Sequence, residues 1–436
     1  MNKKTIGFYT ATSVVIANMV GTGVFTSLGY QVLDIKNGSS IVLLWIIGGI
    51  VSLLGALCYA EIGTTFPRSG GEYNYLSKIY HPAVGFMSGF VSSTVAFSAP
   101  VAAAALALGT YFNNVFAVDP KITACIVVIA LSFVHAFTLN WGSKIQTSFT
   151  IIKVLLIIVF IVFGLFSGHT GDVSFALHSS TLGDVTTAAF AIALFYVSYS
   201  YSGWNAASYI AGEIENPQRN LPKSLLYGTA IVTVLYVLLN YVFLYTAPIG
   251  ELAGKADVGA VSANFIFGVT GGKIISIVIS ILLVSSVSSM VMAGPRVSQT
   301  MGNDLKFLSF LGKTTKNNTP LNATFFQCII SLFFIFTATF SQVITYIGFT
   351  LLMFTFLTVF GLFVIRTRKM SVEGAFKTPL YPLTPILFLI FNTWLLYFGF
   401  TQKPVESLIG LGTVLLGLVV YFIGRKGNQK DNKTLI

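Results

Sequence analysis

The chain has 436 residues, of which 55% are hydrophobic and only 9% charged, and its mean hydropathy is +0.82, which excludes a water-soluble globular domain. The net charge of +11 is spread through short loops between apolar runs, so nucleic acid is excluded as a partner and membrane lipid is implied. Cys58, Cys125 and Cys328 lie in separate apolar runs without CxxC or metal-ligand spacing, and no disulfide, metal or other cofactor is expected.

Hydropathy predicts an all-α integral membrane protein of twelve spans, with cores at 8–30, 41–64, 84–112, 122–140, 147–167, 186–210, 225–247, 273–295, 322–340, 343–365, 384–401 and 405–424. The loops leave no room for a separate soluble domain, so 1–436 reads as one membrane-embedded unit. The start MNKK leads into a long apolar stretch without an A-x-A cleavage site, a retained first helix rather than a signal peptide. With both termini placed in the cytoplasm, nineteen of the twenty-five Lys and Arg lie inside and five outside, Lys153 being the remaining one. That bias predicts a cell-membrane protein with cytoplasmic termini and a basic tail, 425–436, against anionic lipid.

In span 1, Gly21 and Gly23 flank Thr22 within ANMVGTGVF. Two glycines so close weaken the helical ladder, although a small-residue packing face fits the same pattern. Pro100 in span 3, within FSAPVAAAAL, reads as a kink with close helix contact, its small neighbours leaving room for a cavity. His135 in span 4 reads as a hydrogen-bonded packing residue. Lys153 is the sole lysine or arginine inside a long apolar segment, TSFTIIKVLLIIVFIVFGLF. A charge there costs about 2.5–3.5 kcal/mol on insertion scales and is by default functional; the bland reading is a lysine that snorkels to the surface.

Span 6 is interrupted by the polar stretch Tyr199, Ser200, Tyr201, Ser202, Gly203. Two interrupted spans five apart point to an inverted-repeat transporter, with repeats at about 6–167 and 184–366 and two extra helices at about 384–424. Five crossings are an odd number, so the second repeat starts from the opposite face and spans 1 and 6 meet antiparallel. Their breaks present free amides at one half-helix end and free carbonyls at the other, which suits an amino-acid zwitterion without any charged side chain.

The motifs GTGVF, EIGTTFPRSGGEYNYL, YSGWN with GEIENPQRNLPKS, AGPRV and FKTPLYPLTP resemble, in order and spacing, the amino acid/polyamine/organocation transporters, and among these the L-type amino acid transporter branch. The resemblance implies a LeuT-type 5+5 fold with discontinuous helices 1 and 6. It also implies that the amides of Thr22, Gly23 and Val24 hold the substrate carboxylate, and that carbonyls of Met19, Tyr199, Ser200 and Ser202 hold the ammonium. Tyr199 stands where the family places an aromatic gate, commonly phenylalanine. In the L-type branch a span 5 lysine replaces a sodium ion between spans 1 and 8. Here that implies Lys153 bound to the Gly21 carbonyl and to Ser286, with Ser285 as the neighbouring candidate. The alternative for Ser285, Ser286, Ser288 and Ser289 is a hydroxyl bonded back to its own helix.

Glu61, Arg68, Glu72, Glu213, Glu215 and Arg296 read as solvated caps and surface ion pairs at helix ends, with an inner-gate network as the alternative. Trp204 follows the span 6 break and reads as packing behind the site. No acidic residue falls in mid-span and no histidine cluster exists, which argues against an intramembrane enzyme. The expected function is sodium-independent transport of neutral amino acids by alternating access, as an exchanger acting without an obligatory protein partner. The alternative is a proton-coupled symporter with Lys153 as the protonation site.

Overall fold

A computed structural model describes residues 6–137, 142–168, 171–176, 179–315, 319–337 and 340–433. Among these the chain is helical, with no strand and one isolated bridge between Ile6 and Ile214. In a bilayer the backbone polar groups find no water, so helices that close their own hydrogen bonds are the viable spanning structure here.

Ten helical stretches are long and apolar enough to cross. They are Phe8–Asp34, Gly38–Thr65, Pro82–Phe116, Pro120–Phe137, Ser148–Phe166, Pro217–Thr246, Val258–Asp304, Ile347–Thr367, Leu383–Gln402 and Pro404–Gly424. The other two expected spans are the sixth, divided into Ala188–Tyr201 and a 3-10 segment Ala206–Glu213, and the ninth, Leu321–Thr337, of 17 residues. Span 8 is longer than its expected core: Gly268, at φ +71, separates a short leading helix from a long one that runs through Pro295 to Asp304. The last helix continues to Lys433, so most of the expected tail extends span 12. Residues 434–436 of that tail, 138–140 of span 4 and 338–339 of span 9 lie outside the described residues.

Span 5 shows how the core is divided from lipid. Thr150, Lys153, Ile157, Phe160 and Ile161 are buried, whereas Ile151, Ile152, Leu155, Ile158 and Val159 are exposed, the spacing of one inward helical face. Lys153 is 1% exposed, so it faces the protein and does not snorkel. Small residues permit the closest packing: a Cβ at Gly49 of span 2 would sit 2.2 Å from Thr233 Cγ2 of span 7.

Spans 1 and 6 cross antiparallel. Ile6 exchanges backbone hydrogen bonds with Glu213 and Glu215 at one end. Toward the other end Tyr30 stacks on Tyr196 with ring centroids 5.4 Å apart. The face at Ile6 and Ile214 is called the near face below, and the other the far face.

Candidate substrate site

Both predicted breaks are present. The first helix of span 1 stops at Met19, Val20 (ψ 83°) and Gly21 (φ −126°, ψ −150°) leave helical geometry, and a new helix starts at Thr22. The Gly21 amide folds back to the Met19 carbonyl at 2.8 Å. The amides of Thr22, Gly23 and Val24 open the new helix, where backbone acceptors within the helix are lacking, and none of the described residues supplies one.

In span 6 the helix ends at Tyr201, and the Ser202 amide reaches the Tyr199 carbonyl at 2.9 Å. The carbonyls of Ser200, Tyr201 and Ser202 accept no hydrogen bond among the described residues. Gly203 sits at φ +97, and a Cβ there would come within 2.8 Å of Asn18. Glycine is therefore required by the backbone conformation and by the close crossing of the two breaks.

On the far side of the breaks the two spans are pressed together. Tyr199 and Thr22 hydroxyls lie 3.2 Å apart, and Ser27 and Ser200 hydroxyls 2.9 Å apart. Gly23 abuts Ser200 so closely that a Cβ would lie 2.5 Å from the Ser200 Cα. The Met19 carbonyl accepts from the Tyr236 hydroxyl of span 7 as well as from the Gly21 amide. Thus Thr22 meets Tyr199 and Gly23 meets Ser200, Met19 already holds two donors, and Val24 is fully buried.

A cavity lies on the near side of the breaks. Tyr199 and Ser202 line it, together with Asn18, Trp204, Asn205 and Tyr209 from the two broken spans, Phe97 and Pro100 from span 3, and Met290 and Ala293 from span 8. A second lobe extends between spans 2, 10 and 11, past Val51, Leu352, Phe388 and Asn392. No Asp, Glu, Lys or Arg is among the lining residues. Trp204 sets its ring edge-on to Tyr59 at 4.8 Å and to Phe388 at 6.2 Å, so it forms wall rather than backing. Of the expected substrate residues, Tyr199 and Ser202 reach this cavity; Met19, Thr22, Gly23, Val24 and Ser200 do not.

Behind the span 1 break, Lys153 Nζ donates to the Val20 carbonyl at 3.1 Å and to Ser286 Oγ at 2.8 Å. Ser286 in turn donates to Val20 at 3.2 Å. The Gly21 carbonyl expected from the resemblance is replaced by its neighbour, because non-helical geometry begins at Val20 and frees that carbonyl from the ladder. Ser285 is buried, and its hydroxyl has no partner among the described residues. Ser289 bonds back to Ser286 within its helix at 2.9 Å, and Ser288 meets His135 Nε2 of span 4 at 2.7 Å.

Two of the acidic residues read as solvated caps are buried instead. Glu61, 1% exposed, forms a fork with Arg366 of span 10 at 2.9 and 2.8 Å and accepts from the Thr378 amide at 2.7 Å. Glu72 accepts from Tyr59 at 2.8 Å, from Asn205 Nδ2 at 2.7 Å and from the Tyr209 hydroxyl. All of these partners but Tyr59 lie more than 130 residues away in sequence, which is why EIGTTFPRSGGEY looks like a surface loop. Arg68 pairs with Asp304 at 2.7 Å and Arg296 with Glu213 at 3.6 Å, both partly exposed, in line with the surface reading of Arg68, Glu213 and Arg296. Tyr236 carries no local signal and was not expected at the site.

The profile of the family described as "Amino acid permease" matches residues 6–423. The chain is 30% identical to the serine/threonine exchanger SteT of Bacillus subtilis (strain 168) over 96% of each chain. It is 28% identical to human large neutral amino acids transporter small subunit 2, covering 97% of this chain and 80% of that one. Mouse b(0,+)-type amino acid transporter 1 is 26% identical, with 97% and 88% covered. These relatives are transporters, and the match runs through both broken spans and the Lys153 helix. The chain belongs to the amino acid permease family.

Proposed function

We propose that the protein exchanges neutral L-amino acids across the cell membrane, without sodium, by alternating access between two inverted repeats, 6–167 and 184–366. The observation that carries this reading is the Lys153 ammonium held between the span 1 break and Ser286. A cation tethered there fills the junction between spans 1 and 8 that a coupling ion would need. The free amides at 22–24 and free carbonyls at 200–202 suit a carboxylate and an ammonium once the contact of Gly23 with Ser200 loosens, since of these residues Ser202 alone lines the cavity in this arrangement. The absence of charged side chains from the cavity wall favours a neutral side chain, because a charge buried there would have no partner.

The near face is taken as cytoplasmic, from the excess of Lys and Arg on that side, so the cavity lies on the cytoplasmic side of the breaks. The names of two relatives, an exchanger of serine and threonine and a transporter of large neutral amino acids, agree with this substrate class. The chain is taken to act without an obligatory partner. The test is counterflow in proteoliposomes holding the purified chain. A neutral amino acid on the trans side should accelerate uptake with neither sodium nor proton gradient. Strong sodium dependence overturns the reading; uptake driven only by an inward proton gradient, and lost in Lys153→Ala, replaces it with proton symport.

A further inference from the structure

Three asparagines line the cavity, and each has its amide nitrogen committed to a group that can only accept. Asn18 Nδ2 donates to the Val14 carbonyl at 2.8 Å, Asn392 Nδ2 to the Phe388 carbonyl at 2.8 Å and Asn205 Nδ2 to the Glu72 carboxylate at 2.7 Å. A carbonyl or carboxylate demands the NH2 end, so the orientation of each amide is dictated by its partner. The three amide oxygens accept no hydrogen bond among the described residues, and that of Asn392 is fully buried without one.

Asn205 differs from the other two. Asn18 and Asn392 bond within their own helices, whereas Asn205 lies in the non-helical link after Gly203 and depends on a residue 133 positions away. Glu72 is 4% exposed and does not itself line the cavity. It also takes the proton of the Tyr209 hydroxyl, another wall group, leaving that oxygen, which the Asn205 amide nitrogen also approaches, with a lone pair to offer. No Lys or Arg side chain pairs with Glu72 among the described residues.

We propose that Glu72 is a positioning residue that sets the hydrogen-bond polarity of the cavity, turning the oxygens of Asn205 and Tyr209 toward the substrate so that the site prefers amino acids whose side chains carry a hydroxyl donor. This rests on the reading that the cavity binds an amino acid. Serine and threonine satisfy these oxygens. Alanine and valine, nearly the same size, leave them unpaired. Side-chain carboxylates bring only acceptors and are repelled.

The experiment compares threonine with its isostere valine, and serine with alanine, as competitors of radiolabelled uptake in proteoliposomes of the full chain. The native protein should favour the hydroxyl partner roughly two- to tenfold, the value of one hydrogen bond. Glu72→Gln, which offers an amide NH2 and so frees Asn205 to turn over, should bring both ratios close to one. Tyr209→Phe, which removes one wall oxygen and leaves Glu72 in place, should lower them and serves where Glu72→Gln does not fold. Ratios are read within each variant, so lower expression does not move them. Equal competition by threonine and valine in a native protein that transports, or a ratio unchanged in the variants, overturns the proposal. If no amino acid is transported, the transport reading falls and this proposal with it.

Discussion

The hydroxyls of Thr22 and Tyr199 meet at 3.2 Å, joining the start of one half-helix to the end of another 177 residues away. With Ser27–Ser200 at 2.9 Å and the Tyr30–Tyr196 stack, this contact closes the far side of the breaks. Removing the phenolic oxygen in Tyr199→Phe should weaken that closure by about 0.5–1.5 kcal/mol. A cysteine placed at Ser27, in a background without Cys58, Cys125 and Cys328, should then react with a maleimide roughly two- to tenfold faster. An unchanged labelling rate would show that the hydroxyl pair does not hold the far side shut.

Gly23 permits the same closure sterically. A Cβ there would lie 2.5 Å from both the Cα and the Oγ of Ser200, and one of those atoms is backbone that cannot rotate away. Gly23→Ala should therefore abolish transport in a protein that still folds, and Ser200→Gly on top of it should restore only part, since the Cα clash remains. Full activity in the single variant would mean that the helices separate at no cost.

Lys153→Ala removes the ammonium but leaves Ser286 able to donate to the Val20 carbonyl. The span 1 break then loses its tie to span 5. Substrate affinity should fall at least tenfold, read as binding to the purified protein, and sodium should not restore it. Wild-type affinity in this variant would remove Lys153 from the working site.

Two ion pairs at the near face should respond differently to truncation. Glu61 is buried under Arg366, whose side chain is 28% exposed. Arg366→Ala should lower stability by about 2–3 kcal/mol, below the 3–5 expected of a fully buried pair. Arg68 is 52% exposed opposite Asp304, and Arg68→Ala should cost under about 1 kcal/mol. Thermal unfolding in detergent separates the two; equal shifts would contradict the burial argument.

What could be read from the sequence was whatever announces itself locally. Gly21 and Gly23 in an apolar helix, a polar run inside span 6 and one lysine among isoleucines each break a local pattern, and the breaks and the Lys153 contact lie where those signals fall. The identity of the carbonyl was missed by one residue because two glycines do not say which bond of the link turns first. Glu61, Glu72 and Tyr236 gave no such signal. Each is explained by a partner more than 130 residues away or across a helix interface, and a lone carboxylate at a helix end looks the same whether water or an arginine waits for it.

The far-side closure is made of neutral hydroxyls and stacked rings, whereas Arg68–Asp304 and Arg296–Glu213 sit half-open at the near face. Ionic strength screens exposed charges over about 8–10 Å and leaves neutral hydrogen bonds almost untouched. The two sides of this protein are thus built from contacts with opposite sensitivities: added salt should loosen the near face alone, so that ordinary potassium chloride becomes a one-sided lever on which way the molecule opens.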